Sequence, residues 1–244
     1  MPSSSADAGA GLFVPARRRG SEFLDTPRSV PPAIVLRELA DVARSNALFG
    51  GARAVVAEVV DALRDSHGPA TLLDVGTGLG DIPHRAREAV ARRGVVLDTI
   101  GVELSEAAAR ASLPSTHASV CADAFQLPFA DRSVDIVTCS QVLHHFEAPA
   151  TSALLRELTR VARQRVIVGE IRRDWLAAAG VWLASWPLGF HAHSRHDGVT
   201  SVLRGFTARE LSALVRQSVD RPARVMNRAG FRVTASWAPM PAIA

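Results

Sequence analysis

The chain has 244 residues, of which 48% are hydrophobic, enough to bury one sizeable core and short for two domains. All 28 basic residues are arginine, yet the formal net charge is only +4 and the arginines alternate with Asp and Glu along the chain. That dispersion argues against a phosphate-tracking surface, so no nucleic-acid partner is expected.

Residues 1–28 read as a disordered or extended tail, rich in Ser, Ala and Gly and carrying Arg17-Arg18-Arg19. One domain is expected over residues 29–244. Met1 to Ala10 lacks a charged segment followed by an apolar run, so no secretory leader is expected. Cys121 and Cys139 give neither a disulfide framework nor a metal-ligand pattern, which fits a reducing, cytoplasmic setting. The spacing of Ile34, Leu36, Leu39, Val42 and Ala43 predicts a helix over Pro32–Leu48 with an apolar face. Gly50-Gly51 breaks it, and a second helix runs from Arg53 to about Ser66 with Val55, Val56, Val59, Val60 and Leu63 inward.

The rhythm then changes to short apolar runs alternating with helical segments. A strand over 71–75 leads through a glycine-rich turn into a helix from Asp81 to Arg93, and Val95 to Val102 reads as the next strand. Ser105 is expected to cap a helix through Ala111. Further strands are expected at 117–121, 133–139 and 165–171, with a helix at 149–163. The alternation predicts an α/β fold with a parallel, doubly wound sheet. After a long segment, 173–205, Thr207 caps a helix through Val215. Arg224–Asn227 and Phe231–Trp237 then form a terminal hairpin joined at Ala229-Gly230. Trp175 to Phe190 is the most apolar later stretch, but it contains Gly180, Pro187 and Gly189 and is short for a membrane span.

The chemistry concentrates where strands end. Asp74-Val75-Gly76-Thr77-Gly78-Leu79-Gly80 places a carboxylate at a strand's edge and turns through three alternating glycines into a helix. Glycine serves here because the backbone must take permissive dihedrals and approach a ligand without a Cβ in the way. A dinucleotide site has a G-x-G-x-x-G turn whose helix N-terminus holds a pyrophosphate. Asp74 would repel that group but suits the positive aminoacyl end of S-adenosylmethionine (SAM), directly or through water. Glu103 ends the next strand, where a carboxylate can accept from both ribose hydroxyls. Asp123-Ala124 follows the third strand, placed to meet an adenine. Phe129 to Val137 leads into a strand whose end, Ser140-Gln141-Val142-Leu143-His144-His145-Phe146, faces the same cleft.

On these residues the sequence resembles the class I SAM-dependent methyltransferases, and within them the ubiquinone/menaquinone-biosynthesis-like group. The stretch Arg195 to Thr207 is similar to a subgroup that tailors natural products. The resemblance covers about residues 30 to 240. It implies a Rossmann-like, seven-strand, mostly parallel sheet with an antiparallel last strand, an N-terminal helical lid, and an insertion after strand five that covers the acceptor site. It also implies SAM contacts at Asp74, Gly76, Thr77, Gly78, Glu103, Leu104, Asp123 and Ala124, with Ser140 near the methionine end.

Methyl transfer from a sulfonium is an in-line displacement, so the protein's work is positioning, with a base for an oxygen acceptor. His144 and His145 are the candidate bases. A second set, His191, His193, Arg195 and His196, lies in the insertion with Trp182 and Trp186, and is expected to bind substrate. The His-x-His spacing there is superficially metal-like, but Arg195 occupies the acidic position, so no metal is expected. The reading is a methyltransferase for a hydroxyl of a small apolar or aromatic metabolite, a monomer or homodimer, with no membrane partner. Transfer to carbon or nitrogen, or a SAM-binding protein without turnover, remain as alternatives.

Overall fold

A computed structural model describes residues 14–18, 20, 22, 25, 30–66 and 68–239. Two helices, α1 (Pro32–Leu48) and α2 (Gly51–Ala62), precede β1 (Ala70–Val75), α3 (Asp81–Ala91), β2 (Leu97–Glu103), α4 (Glu106–Ser112) and β3 (Ala118–Cys121). They are followed by β4 (Val134–Ser140), α5 (Ala148–Val161), β5 (Ala162–Ile171), α6 (Trp175–Ser185), α7 (Ala192–Arg204), α8 (Ala208–Val219), β6 (Arg224–Arg228) and β7 (Arg232–Trp237).

The seven strands form one sheet in the order β3-β2-β1-β4-β5-β7-β6. Neighbours from β3 through β5 run parallel, and β7 runs antiparallel to both β5 and β6, as expected. Strand order reverses between β1 and β4, which opens a crevice beyond their C-terminal ends. Alternating side chains build a core on each face. Leu72, Ile136 and Ile167 pack with Val55 and Val59 of α2 and Ile82, Ala86 and Val90 of α3. Their neighbours Leu73, Val137, Val166 and Val168 pack with Leu154, Leu155 and Leu158 of α5 and Leu211 and Val215 of α8. Side chains of this size contribute about 1.5–3 kcal/mol each when fully buried, so the two cores are the main source of stability.

Several expected boundaries move. The helix expected at 149–163 stops at Val161, and Ala162 already begins β5, turning to φ −70°, ψ 137°. Ser105 is the residue before α4, but its hydroxyl makes no capping bond. The segment 173–205 folds as the helices α6 and α7. The strand end at 143–145 is a single turn of 3-10 helix. Thr207 does cap α8, in a reciprocal box with Glu210.

Residues 1–13, 19, 21, 23, 24 and 26–28 of the expected tail lie outside the described residues. The described part of that stretch is tied to the α/β body. Arg17 Nε donates to the Arg204 carbonyl (2.7 Å), the Arg18 amide to the Leu203 carbonyl (3.0 Å), and Arg173 Nε to the Pro15 carbonyl (2.7 Å). No helix among the described residues is long and apolar enough to cross a membrane.

Candidate active site

A cavity of about 590 Å³ opens beyond the C-terminal ends of β1, β2 and β4. Helix α1 forms one side of it. The apolar face expected on this helix supplies Leu39, Val42 and Ala43 to the cavity wall, and the buried Val35, Glu38, Asp41 and Asn46 line the same wall. Polar side chains are buried here because α1 covers a site rather than a core.

The turn after β1 is shaped for close approach. Gly76, Gly78 and Gly80 take φ of 72°, 60° and 76°. A Cβ on Gly76 would come within 2.5 Å of Val142 Cγ2, so any side chain there would both strain the backbone and displace the residue after β4. Glu103 reaches across from β2 and accepts from the Gly78 amide (2.6 Å) and, more weakly, from Leu104 (3.3 Å). Burial pushes its carboxyl up to about 7, against the pull of those two amides. Gly76, Thr77, Gly78, Glu103, Leu104, Asp123, Ala124 and Ser140 all line the cavity, so the expected cofactor residues converge there.

Asp74 stands apart from them. It is 1% exposed, is not part of the cavity wall, and accepts from Thr77 Oγ1 (2.8 Å) and Thr138 Oγ1 (2.7 Å). Burial raises it to about 7, with the two hydroxyls opposing the shift. Its place is behind the turn, bracing Thr77 against β4. The carboxylate that does face the cavity here is Asp81, the first residue of α3, whose Oδ2 is buried with no hydrogen-bond partner. Sequence reasoning missed it, although an acid directly after a glycine-rich turn at a helix N-terminus was the available signal.

A polar chain links Asp81 to the far side of the site. Asn46 of α1 lies near enough to Asp81 to oppose its rise in pKa and accepts from Gln141 Nε2, and Gln141 Oε1 accepts from Arg232 Nη1 (2.9 Å). Gln141 holds φ of 56°, unusual for a residue with a side chain, at the end of β4. Burial pushes the Arg232 guanidinium down to about 10. Asp81, Asn46, Gln141 and Arg232 all line the cavity.

His144 and His145 both reach the cavity, in different states. The His144 side chain is 2% exposed, with Nδ1 2.8 Å from Glu170 Oε2 and Nε2 3.7 Å from Glu22 Oε1. Burial alone would push its pKa down, but Glu170 and Glu22 outweigh that and hold it up at about 9, which favours the protonated ring. The His145 side chain is 19% exposed, and its Nδ1 lies 2.6 Å from Asp25 Oδ1. Burial works to raise Asp25, yet bonds from His145 and Arg204 hold it well below the usual carboxylate range. Arg204 Nε also donates to the His144 carbonyl (2.9 Å), fixing the turn that carries both rings. Glu22, Asp25 and Glu170 were not foreseen, because nothing local in the sequence links them to the His pair.

The insertion presents a different face from the one expected. Helix α7 turns Ser194, Asp197, Gly198 and Ser201 to the cavity, and α6 turns Leu176, Ala177, Gly180 and Val181. His191, His193, Arg195, His196, Trp182 and Trp186 are not part of the wall. His191 Nδ1 instead caps α7, accepting from the His193 amide (3.4 Å), and Arg195 stacks over Trp186 at 4.4 Å. Trp182 and Trp186 are 51% and 56% exposed.

Comparison with known proteins agrees with this geometry. Residues 73–168 match the family described as "Methyltransferase domain". A search of curated protein sequences finds no match. Among solved structures, the chain is similar to the magnesium protoporphyrin IX methyltransferase of Synechocystis PCC 6803 with bound SAM (14% identity, 82% of this chain and 81% of that one, TM-score 0.53). It is also similar to a SAM-dependent methyltransferase from Aquifex aeolicus (14%, 86% and 100%, TM-score 0.57). A third likeness is to a plantazolicin methyltransferase in complex with a desmethyl analogue and S-adenosylhomocysteine (SAH) (10%, 89% and 95%, TM-score 0.64).

The residues present fit SAM. Glu103 offers a carboxylate to a ribose diol, Gly76 leaves room for close approach, and the orphaned Asp81 oxygen suits an ammonium group. Residues 73–168 match a methyltransferase domain, and the sheet that contains them has the fold of the SAM-dependent methyltransferases it resembles.

Proposed function

We propose that the chain transfers a methyl group from SAM to a hydroxyl of a small apolar or aromatic metabolite, in the ubiquinone/menaquinone-like group and in natural-product tailoring. The reading takes residues 29–244 as the catalytic domain, with Glu22 and Asp25 added from the preceding stretch. It includes a cytoplasmic setting, a monomer or homodimer, and no nucleic-acid or membrane partner.

The observation that carries the reading is the His145–Asp25 pair at the cavity wall. A carboxylate on Nδ1 fixes the ring's orientation and tautomer and leaves Nε2 as the acceptor for a substrate proton. SAM supplies a methyl on a sulfonium that leaves as a neutral thioether. The chain's own residues position the acceptor in line and take the hydroxyl proton at His145 Nε2 as the new O–CH3 bond forms. The apolar wall from α6 and the Leu39 and Val42 side chains excludes water from that approach. His144, which Glu170 and Glu22 hold toward its protonated form, adds a neighbouring positive charge that favours the developing oxyanion. The substrate contacts assigned here are Ser194, Asp197 and Ser201. Of the residues first expected for that role, His191 and Arg195 serve by fixing α7, through the helix cap and the Phe190 carbonyl (2.9 Å).

A second reading, transfer to nitrogen, is favoured by one feature. Glu38 Oε1 is buried at the cavity without a hydrogen-bond partner and would suit an amine-bearing acceptor. The test is transfer from methyl-labelled SAM to paired phenol and aniline acceptors, with His145→Ala beside the parent protein. Phenol turnover reduced about 100-fold or more in the variant, with SAH affinity unchanged, is expected for a general base. Turnover of anilines alone, or indifference to His145, would overturn the oxygen reading.

A further inference from the structure

Glu22, His144 and His145 meet where the N-terminal stretch crosses the turn after β4. One ligand atom from each lies within 4.8 Å of the others. His144 Nε2 is 3.7 Å from Glu22 Oε1, and His145 Nε2 is 3.9 Å from Glu22 Oε2. Tetrahedral coordination at about 2.1 Å puts ligand atoms about 3.4 Å apart, so small side-chain movements would close the set.

Two further features point to an ion. Each ring has a carboxylate on its other nitrogen, Glu170 on His144 Nδ1 (2.8 Å) and Asp25 on His145 Nδ1 (2.6 Å). Metal-ligating histidines are oriented in that way, with the Nδ1–H given to a carboxylate and Nε2 turned to the ion. The third ligand is held ready. The Glu22 side chain is 5% exposed, its Oε2 accepts from Ser201 Oγ (2.6 Å), and its buried Oε1 makes no hydrogen bond and faces Arg204 Nη1 at 3.3 Å. Three carboxylates thus converge on two imidazoles, and among the described residues Arg204 is the cation paired with Glu22 (3.3 Å) and Asp25 (3.0 Å). A divalent ion that took the place of the His144 proton would set its greater positive charge against these three carboxylates.

We propose that Glu22, His144 and His145 form a divalent transition-metal site at the cavity wall, with a coordination position left open toward the acceptor. Two imidazoles and one carboxylate suit Zn2+ and its neighbours in the first transition row better than Mg2+ or Ca2+, which prefer all-oxygen sets. All three ligands line the cavity, so the open position faces the space an acceptor would enter. Metal binding does not depend on the acceptor's identity. Its role in turnover rests on the oxygen-acceptor reading: a hydroxyl at the open position would give its proton to solvent at the cavity mouth more readily on the ion, and His145 would act as a ligand in place of a direct base.

The test uses the full chain, stripped with chelator and titrated with Zn2+ by calorimetry and with Co2+ by visible absorption. One ion per chain is expected, with Co2+ bands of four- or five-coordinate intensity. Glu22→Gln and His145→Ala are expected to weaken binding about 100-fold or more, and Asp25→Asn and Glu170→Gln about 10-fold. The double variant His191→Ala/His193→Ala, which removes the surface pair with rings 5.0 Å apart, is expected to bind as the parent does. SAH affinity in every variant checks that the chain has folded. No stoichiometric binding, or binding lost only with His191 and His193, would overturn the site. Turnover of a phenol by metal-free protein would keep the oxygen reading and leave the ion without its role. One bound ion with no transfer to any hydroxyl would keep the site and sink the oxygen reading.

Discussion

Glu103 has two tasks that pull against each other. Its carboxylate accepts the Gly78 amide and so holds the glycine turn, yet burial keeps it up at about 7. A ribose diol donating to the same carboxylate would favour its charged form, so its pKa falls on binding. SAH binding should therefore release a proton below about pH 7, and affinity should rise with pH until it levels there. Calorimetry in two buffers of different ionisation enthalpy measures that release directly. A flat affinity between pH 5.5 and roughly 8 would remove Glu103 from the ribose role. Glu103→Ala should weaken SAH at least 10-fold, about 1.4 kcal/mol, since both the ligand contact and the brace on Gly78 go with it. Asp74 acts one step further back, so its loss should show first in stability.

At the scale of elements, buried acids tie helices to strands at positions that a pattern of apolar residues cannot reveal. Glu58 of α2 is 2% exposed and receives Arg224 Nη2 (2.5 Å), Thr234 Oγ1 (2.7 Å), Ser236 Oγ (3.3 Å) and Arg228 Nη2. One carboxylate therefore clamps α2 to both strands of the terminal hairpin. Burial tends to raise its pKa, and the arginine and threonine bonds outweigh that and hold it below its ordinary value. Glu58→Ala should destabilise the fold by about 2 kcal/mol, less than for a wholly buried pair because Arg224 stays half in solvent. Urea unfolding at pH 7 measures this, and a loss under about 0.5 kcal/mol would mean the hairpin is held by apolar packing alone. Helix α7 illustrates a related point. Ser194, Asp197, Gly198 and Ser201 follow the i, i+3, i+4, i+7 spacing of a helix face, a stripe of small polar residues that was visible in the sequence. The eye is drawn instead to the histidines between them, which the same period turns away.

For the whole molecule, the pH dependence of stability follows from which buried acids have partners strong enough to outweigh burial and which do not. Glu58, Asp135, Glu157 and Glu170 are held below their ordinary values by arginine, threonine, histidine and backbone donors. Their contribution is present above the unfolded pKa and is lost as pH falls through the folded one. Asp74 and Glu103 are raised to about 7 by burial, so each destabilises the fold as pH climbs from about 4 to 7. His144, raised to about 9, stabilises fully below about 6.5, and that contribution is lost as pH passes 9. The sum places maximal stability near pH 5. The Tm should fall by roughly 5–10 °C between pH 5 and 9. Thermal unfolding by circular dichroism checks it, and a Tm that rises across this range would show that the buried acids are not protonated as described. SAH should flatten the slope, because it favours the charged form of Glu103.

The elements whose ends line the cavity were legible from the chain alone, because each is a local event. A short apolar run ends, a glycine turn reverses the backbone, and a helix begins, so Gly76, Glu103 and Asp123 could be placed at strand ends by counting. The same holds for the terminal hairpin and the Thr207 cap. What the tertiary structure decided are contacts across long stretches of chain. Asp25 meets His145 at a separation of 120 residues, and Arg204 meets Asp25 at 179. The inward faces of α1 and α7 were decided in the same way. Periodicity shows that a helix has faces, but the choice between them depends on what the rest of the chain leaves uncovered. Here that is a cavity, so α1 buries Glu38, Asp41 and Asn46 beside Val35, and α7 turns Ser194, Asp197 and Ser201 to the opening while its Val202 and Leu203 pack with α6.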